Sequence, residues 1–128
     1  MRDRRAEARD RQAGLEAAVV SAGLYLAQRV TAAVLGLAVL VHLATVMIAV
    51  KGGLTAGEIL GRTAGNVGFL LFYAIFVVAA AVHAPIGLRS VLREWTLWRG
   101  RSLDLAMLAF SAVILTLGLR AAYAVFSA

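Results

Sequence analysis

An all-α, integral-membrane fold of three spanning helices is predicted by three observations. The chain has 128 residues, of which 62% are hydrophobic, and its mean hydropathy is +0.85. The apolar residues gather in three long runs, each close to the ~20 residues that cross a hydrocarbon core. None of the runs carries the turn signals that would punctuate a soluble domain of this size. Cysteine is absent, so these residues offer no disulfide, thiolate metal site or iron–sulfur ligation.

The elements follow in order. Residues 1–23, "MRDRRAEARDRQAGLEAAVVSAG", read as a basic arm, with an interfacial helix from about Leu15 as one form it can take. Both charges are mixed there and no short apolar region precedes a small-residue cleavage site, so a secretory signal is not expected. Residues 24–128 are the membrane domain. The first span covers about 28–50, on the run Val30–Val50. The second covers about 66–89, on Val67–Leu88, broken only by His83 and Pro85. The third covers about 104–126, from Leu105 to Phe126, with Arg120 near its far end.

Orientation follows from the basic residues beside the spans. The first segment carries Arg2, Arg4, Arg5, Arg9, Arg11 and Arg29, and the second loop carries Arg89, Arg93, Arg99 and Arg101. The first loop, "KGGLTAGEILGRTAGN", has only Lys51 and Arg62. The N-terminus and the second loop are expected in the cytoplasm, with the first loop and the C-terminus outside. A bacterial cytoplasmic membrane is the expected location, ahead of the mitochondrial inner membrane. The net charge of +6 then orients the chain in the lipid bilayer, and no nucleic-acid partner is expected. Trp95 and Trp98 sit where an interfacial aromatic belt would place them.

Two histidines fall inside the spans. At 1.5 Å per residue, His42 lies roughly 20 Å in from Arg29, and His83 roughly 9 Å in from Arg89. Their depths therefore differ by about 10 Å, too far for one shared metal ion. An ionisable group in hydrocarbon is a candidate functional site. "AAAVHAPIG" surrounds His83 with small residues, and Gly87 lies on the same helical face. A flat macrocycle beside an axial imidazole needs such a smooth surface. The competing reading is an interhelical hydrogen bond, with the small residues serving packing. Pro85 cannot donate to the Ala81 carbonyl, so a local bend is expected there.

"HAPIGLRSVLREW" resembles the second-helix segment of the membrane-anchor, or cytochrome b, subunits of the succinate dehydrogenase and fumarate reductase family. "QRVTAAVLGLAVL" is similar to the start of that family's first helix. The three-helix plan and the spacing of these segments also agree, and the resemblance covers about residues 24–126. It implies a partner anchor chain, or another copy of this one, in the bundle. It implies flavoprotein and iron–sulfur subunits docked on the basic side, a b-type haem and a quinone substrate. His83 matches the haem ligand, with Gly87 beside it. Arg29 matches the arginine of the quinone pocket. Tyr25 lies where one anchor type has a quinone-contacting serine. Glu94 and Trp95 fall where the family often has Asp-Tyr. Trp95 departs from that pattern, because its indole offers only an N–H donor. The segment lies nearer the smaller, D-type anchor, whereas Arg89 resembles the C-type, and both assignments stay open.

Some members of the family hold two haems across the membrane, with ligands on the first and second helices. His42 and His83 fit that layout, and Arg120 lies deep enough to meet a distal haem propionate. A packing histidine bonded to backbone is the alternative for His42. Arg89 and Arg93 either meet haem propionates and quinone oxygens or snorkel to the interface. One chain supplies one ligand at each depth, so bis-histidine haem needs a second membrane chain. A transporter or channel subunit would usually need a membrane-embedded carboxylate. The runs Val30–Val50, Val67–Leu88 and Leu105–Phe126 hold no Asp or Glu. A haem-free tethering or assembly protein is the remaining rival. The charge asymmetry is tested by topology reporters: one fused after Ala128 is expected outside the cytoplasm and one within residues 90–101 inside, and the reverse result overturns the orientation.

Overall fold

The computed structural model describes residues 2–53 and 55–128, with side chains from residue 4 onward except at position 54. Met1, the first residue of the expected arm, lies outside the described residues. Four helices follow one another: α1 (Arg2–Gly52), α2 (Ala56–Thr63), α3 (Val67–Trp95) and α4 (Arg101–Phe126). No strand is present among the described residues. The three long helices are each apolar enough to cross a membrane, and the chain is a multi-pass membrane protein.

Helix α1 has 51 residues and is about 75 Å long. It runs without a break from the charged arm into the apolar span, because Arg, Ala and Glu are strong helix formers and nothing in the arm stops propagation. Helix α2 lies in the segment that reads as a loop. Thr55 caps it: its hydroxyl oxygen accepts from the Glu58 backbone N–H at 3.4 Å, while the hydroxyl donates to the Glu58 carboxylate at 3.3 Å. This is the Thr-x-x-Glu start signal. Asn66 opens α3 by accepting from the N–H groups of Gly68 and Phe69. Gly65 has a φ of +65°, and its N–H donates to the Phe126 carbonyl at 2.8 Å. That turn ties the α2–α3 junction to the end of α4.

Helix α3 packs against both α1 and α4, and α2 touches α4. Two stripes on α3 divide the work. Val77, Ala81, Pro85 and Arg89 recur every fourth residue, on one face. A Cβ added at Gly118 of α4 would lie 2.6 Å from a Val77 methyl. The Ser111 hydroxyl of α4 donates to the Ala81 carbonyl at 2.6 Å, and Arg89 pairs with Asp104 of α4 at 2.7 Å. His83 and Gly87 lie on the second stripe, against α1.

Pro85 explains the Ser111 bond. Without an N–H, it leaves the carbonyl four residues earlier, that of Ala81, unpartnered. Water is missing at this depth, so the carbonyl needs another donor. Ser111 supplies it, and α3 stays helical through Pro85.

Among the described residues, only Ala38, Ala79, Ala81, Leu103 and Met107 are buried as core hydrophobics. Leu37, Leu40 and Ile48 are each about two-thirds exposed. In a bilayer such a surface faces lipid or another helix, and association relies on small residues and close backbone approach. The Pro85–Ser111 coupling gives a double-mutant cycle. Ser111→Ala should cost about 1 kcal/mol, since it orphans a carbonyl within the span. In a Pro85→Ala background the Ala81 carbonyl regains its helical donor, and the same change should cost much less. Reversible unfolding in mixed micelles reads both; equal costs in the two backgrounds overturn the coupling.

Candidate functional site

Three contacts fix the level of α1 against α3. The Thr31 hydroxyl lies 3.3 Å from His83 Nδ1. The Gln28 amide lies over Gly87, where a Cβ would sit 3.1 Å from Gln28 Nε2. The Tyr73 hydroxyl lies 3.4 Å from His42 Nδ1. At Gly87 the neighbour across the seam is thus the end of the Gln28 side chain. The step from Thr31 to His42, and that from Tyr73 to His83, each correspond to about 15–17 Å along an axis. The histidines are further apart than the 10 Å obtained by treating Arg29 and Arg89 as equally deep. In this register Arg89 lies level with Tyr25, about one turn nearer the basic end than Arg29.

His83 is half-buried, and Thr31 beside it also contacts the carbonyls of Ala27 at 2.6 Å and Gln28 at 3.3 Å. No hydrogen bond to His83 Nε2 occurs among the described residues. A neutral imidazole nitrogen with a free lone pair is a metal ligand. No cluster of three or more His, Cys, Asp or Glu side chains exists among the described residues, so a self-contained metal site is not built here.

Toward the basic end, α1 and α3 enclose a cavity of about 290 Å³. Ser21, Leu24, Tyr25, Gln28, Ile86, Arg89 and Ser90 line it. Its polar groups are mostly donors and hydroxyls, suited to a carbonyl-bearing ligand with an apolar body. Gln28 Oε1 is buried without a hydrogen-bond partner. Arg89 reaches the cavity while its Nε donates to Asp104 Oδ1 at 2.7 Å. The two side chains are 34% and 50% exposed, so the pair orients Arg89 more than it stabilises the fold. Arg29 is exposed and stacks over the Tyr25 ring, 5.5 Å from its centroid. It does not line this cavity. Glu94 and Trp95 are exposed at the end of α3 and stand apart from it.

At the far end, His42 is exposed, and its ring meets Tyr73 edge-on at 6.0 Å. With Thr45, Arg62, Thr63 and Phe69 among others, the two line a cavity of about 220 Å³. Arg120 is exposed and does not line it. The α3–α4 register puts Arg120 level with Tyr73, hence level with His42, but α4 packs on α3 rather than on the His42 cavity.

The structure thus joins Tyr25 and Arg89 in one cavity, sets His83 and Gly87 just inside it, and leaves Arg29, Glu94, Trp95 and Arg120 outside. It adds Gln28, Ser90, Thr31, Tyr73 and Asp104. Thr31 and Gln28 follow Tyr25 at helical spacing, a signal that the sequence does carry. Asp104 and Tyr73 need the helix register. The profile of the family described as succinate dehydrogenase/fumarate reductase transmembrane subunit matches residues 1–119. The match includes the basic arm and stops short of Arg120. No curated protein and no solved structure matches significantly.

Proposed function

The chain belongs to the succinate dehydrogenase/fumarate reductase transmembrane subunit family, and from that premise we propose that it is the membrane anchor of a succinate:quinone oxidoreductase-type complex. In this role it docks the flavoprotein and iron–sulfur subunits at its basic end, holds a b-type haem through His83 and forms a quinone site. It performs no dicarboxylate chemistry itself. The observation that carries the reading is the free Nε2 of His83, set within two turns of a polar cavity at the basic end.

The residues present fit the haem. His83 offers one neutral nitrogen, with the other tied to Thr31, which is how metal-bound histidines are usually oriented. A second imidazole for the iron would have to come from a partner anchor chain or another copy of this chain. Haem b, when bound, supplies a one-electron store beside the quinone. In the cavity, Tyr25 offers a hydroxyl donor, Ser90 offers an acceptor oxygen because its proton goes to the Ile86 carbonyl, and Gln28 offers both an acceptor and a donor. Arg89, aimed by Asp104, holds positive charge near the quinone oxygens and favours the reduced, more negative form. Arg29 adds charge at the same edge. Glu94 and Trp95 are proposed to close the pocket only together with the iron–sulfur subunit. The basic end lies in the cytoplasm of a bacterium in this reading.

The His42–Tyr73 pair supports a second, distal haem, because it too leaves one imidazole nitrogen free. Arg120 would then meet that haem's propionate from a partner's side of the bundle.

His83→Ala should remove or strongly perturb a b-type haem in the assembled complex while the chain stays inserted. An unchanged redox-difference spectrum eliminates His83 as the ligand, and a complex without any b-type band favours a tethering protein. Arg29→Leu and Arg89→Leu should each depress quinone-linked turnover at least tenfold. Dicarboxylate oxidation with an artificial soluble acceptor should be retained, since only the former uses the membrane cavity. Equal loss of both activities points to failed assembly instead.

A further inference from the structure

We propose that Thr31 is a positioning residue that fixes the tautomer of His83, so that Nδ1 carries the proton and Nε2 stays an unprotonated ligand. The functional consequence rests on the reading of His83 as a haem ligand; the tautomer itself does not.

The argument is a count of protons. A threonine hydroxyl has one hydrogen and two lone pairs. Thr31 Oγ1 has three close neighbours: the Ala27 carbonyl at 2.6 Å, the Gln28 carbonyl at 3.3 Å and His83 Nδ1 at 3.3 Å. Both carbonyls can only accept. An oxygen–oxygen contact of 2.6 Å requires the hydrogen to lie between them, so the hydroxyl donates to Ala27. This back-bond to the preceding turn is a normal habit of helical threonine, whose branched side chain is stiff at χ1. The side of Oγ1 that faces His83 therefore holds only a lone pair. Nδ1 must bring the hydrogen. With the proton on Nε2 instead, two lone pairs would face each other in hydrocarbon, unless the hydroxyl gave up its bond to Ala27.

His42 provides the contrast within the same chain. Its neighbour is the Tyr73 hydroxyl at 3.4 Å, which has no other hydrogen-bond partner among the described residues. That hydroxyl is free either to donate to Nδ1 or to accept from it, so the tautomer of His42 is not fixed. The two histidines look alike in sequence but differ in readiness. His83 presents a ligand nitrogen before any metal arrives; His42 does not. Thr31 also acts on the bound state. A hydrogen bond donated by Nδ1 makes the imidazole a stronger electron donor, which favours the oxidised metal.

The chain contains two histidines, so nitrogen-15 spectra of the haem-free full chain in bilayers show only two imidazoles. His83→Gln assigns them. At alkaline pH, His83 should show a protonated Nδ1 and a bare Nε2, the minority form of free histidine in water. Thr31→Val, which keeps the shape, should abolish that preference; Thr31→Ser should retain it; His42 should not respond. In the assembled complex, Thr31→Val should raise the haem midpoint potential, and Thr31→Ser should restore it. A proton on Nε2 in the unaltered chain, or no response to Thr31→Val, overturns the proposal. The expected tautomer in a complex lacking b-type haem overturns the haem reading and leaves the control of His83 by Thr31 standing.

Discussion

The Ala81 carbonyl is the point from which the rest of the bundle can be reasoned. A proline four residues on deprives it of its helical donor, in a medium with no water to replace it. The Ser111 bond that answers it joins α3 to α4 at one fixed level. Once that level is set, Gly118 falls opposite Val77 and Asp104 falls opposite Arg89. The first is a backbone approach that only a glycine allows, and the second aims a guanidinium. A single unsatisfied backbone group thus fixes a register that extends the length of both helices.

The same rule sorts the other polar side chains within the spans. Thr45 and Ser90 return their hydroxyl protons to carbonyls of their own helix. They are satisfied locally and say nothing about neighbours. Thr31, Gln28, His83, His42 and Tyr73 reach across the α1–α3 seam, and these place one helix against the other. The crossing residues form three levels: a polar cavity at the basic end, His83 just inside it, and His42 with Tyr73 well beyond. The spacing matters more than the residue types. His83 lies within about two turns of the cavity, whereas His42 lies a further 15–17 Å along the axis.

The spans were legible because their cause is local: a run of apolar residues of membrane length needs no knowledge of its neighbours. His83 was legible for the same reason, as an ionisable group with no business in hydrocarbon. The cap on α2 was written in Thr55 and Glu58, though its loop-like glycines hid it. The charged arm reads as a separate unit because its composition changes abruptly near Ala22, yet helix propagation depends on backbone propensity, which does not change there. The partners Asp104, Tyr73 and Ser111 were not legible. Each becomes meaningful only when two helices are set in register, and register comes from close contacts such as Gln28 over Gly87 that no periodicity predicts. The depth of His83 relative to His42 was misjudged for that reason: charged residues mark where a helix can leave the membrane, and they do not mark a common level.

What the chain does with its exposed surface follows from the same constraint. Large apolar side chains can face lipid at no cost, so their exposure demands nothing. A half-buried imidazole with an unpaired nitrogen is different, since an unsatisfied polar group in hydrocarbon costs several kcal/mol. The buried Gln28 carbonyl oxygen carries the same kind of cost. Both lie along the α1–α3 seam, one level apart, and the described residues of this chain complete neither. These two unmet polar groups therefore share one stretch of the α1–α3 seam, while His42, with its own unpaired ring nitrogen, lies well beyond them. Apolar residues at both positions would relieve these costs in a chain that only tethers, and the presence of two such groups at adjacent levels is the physical support for the ligand sites proposed along this seam.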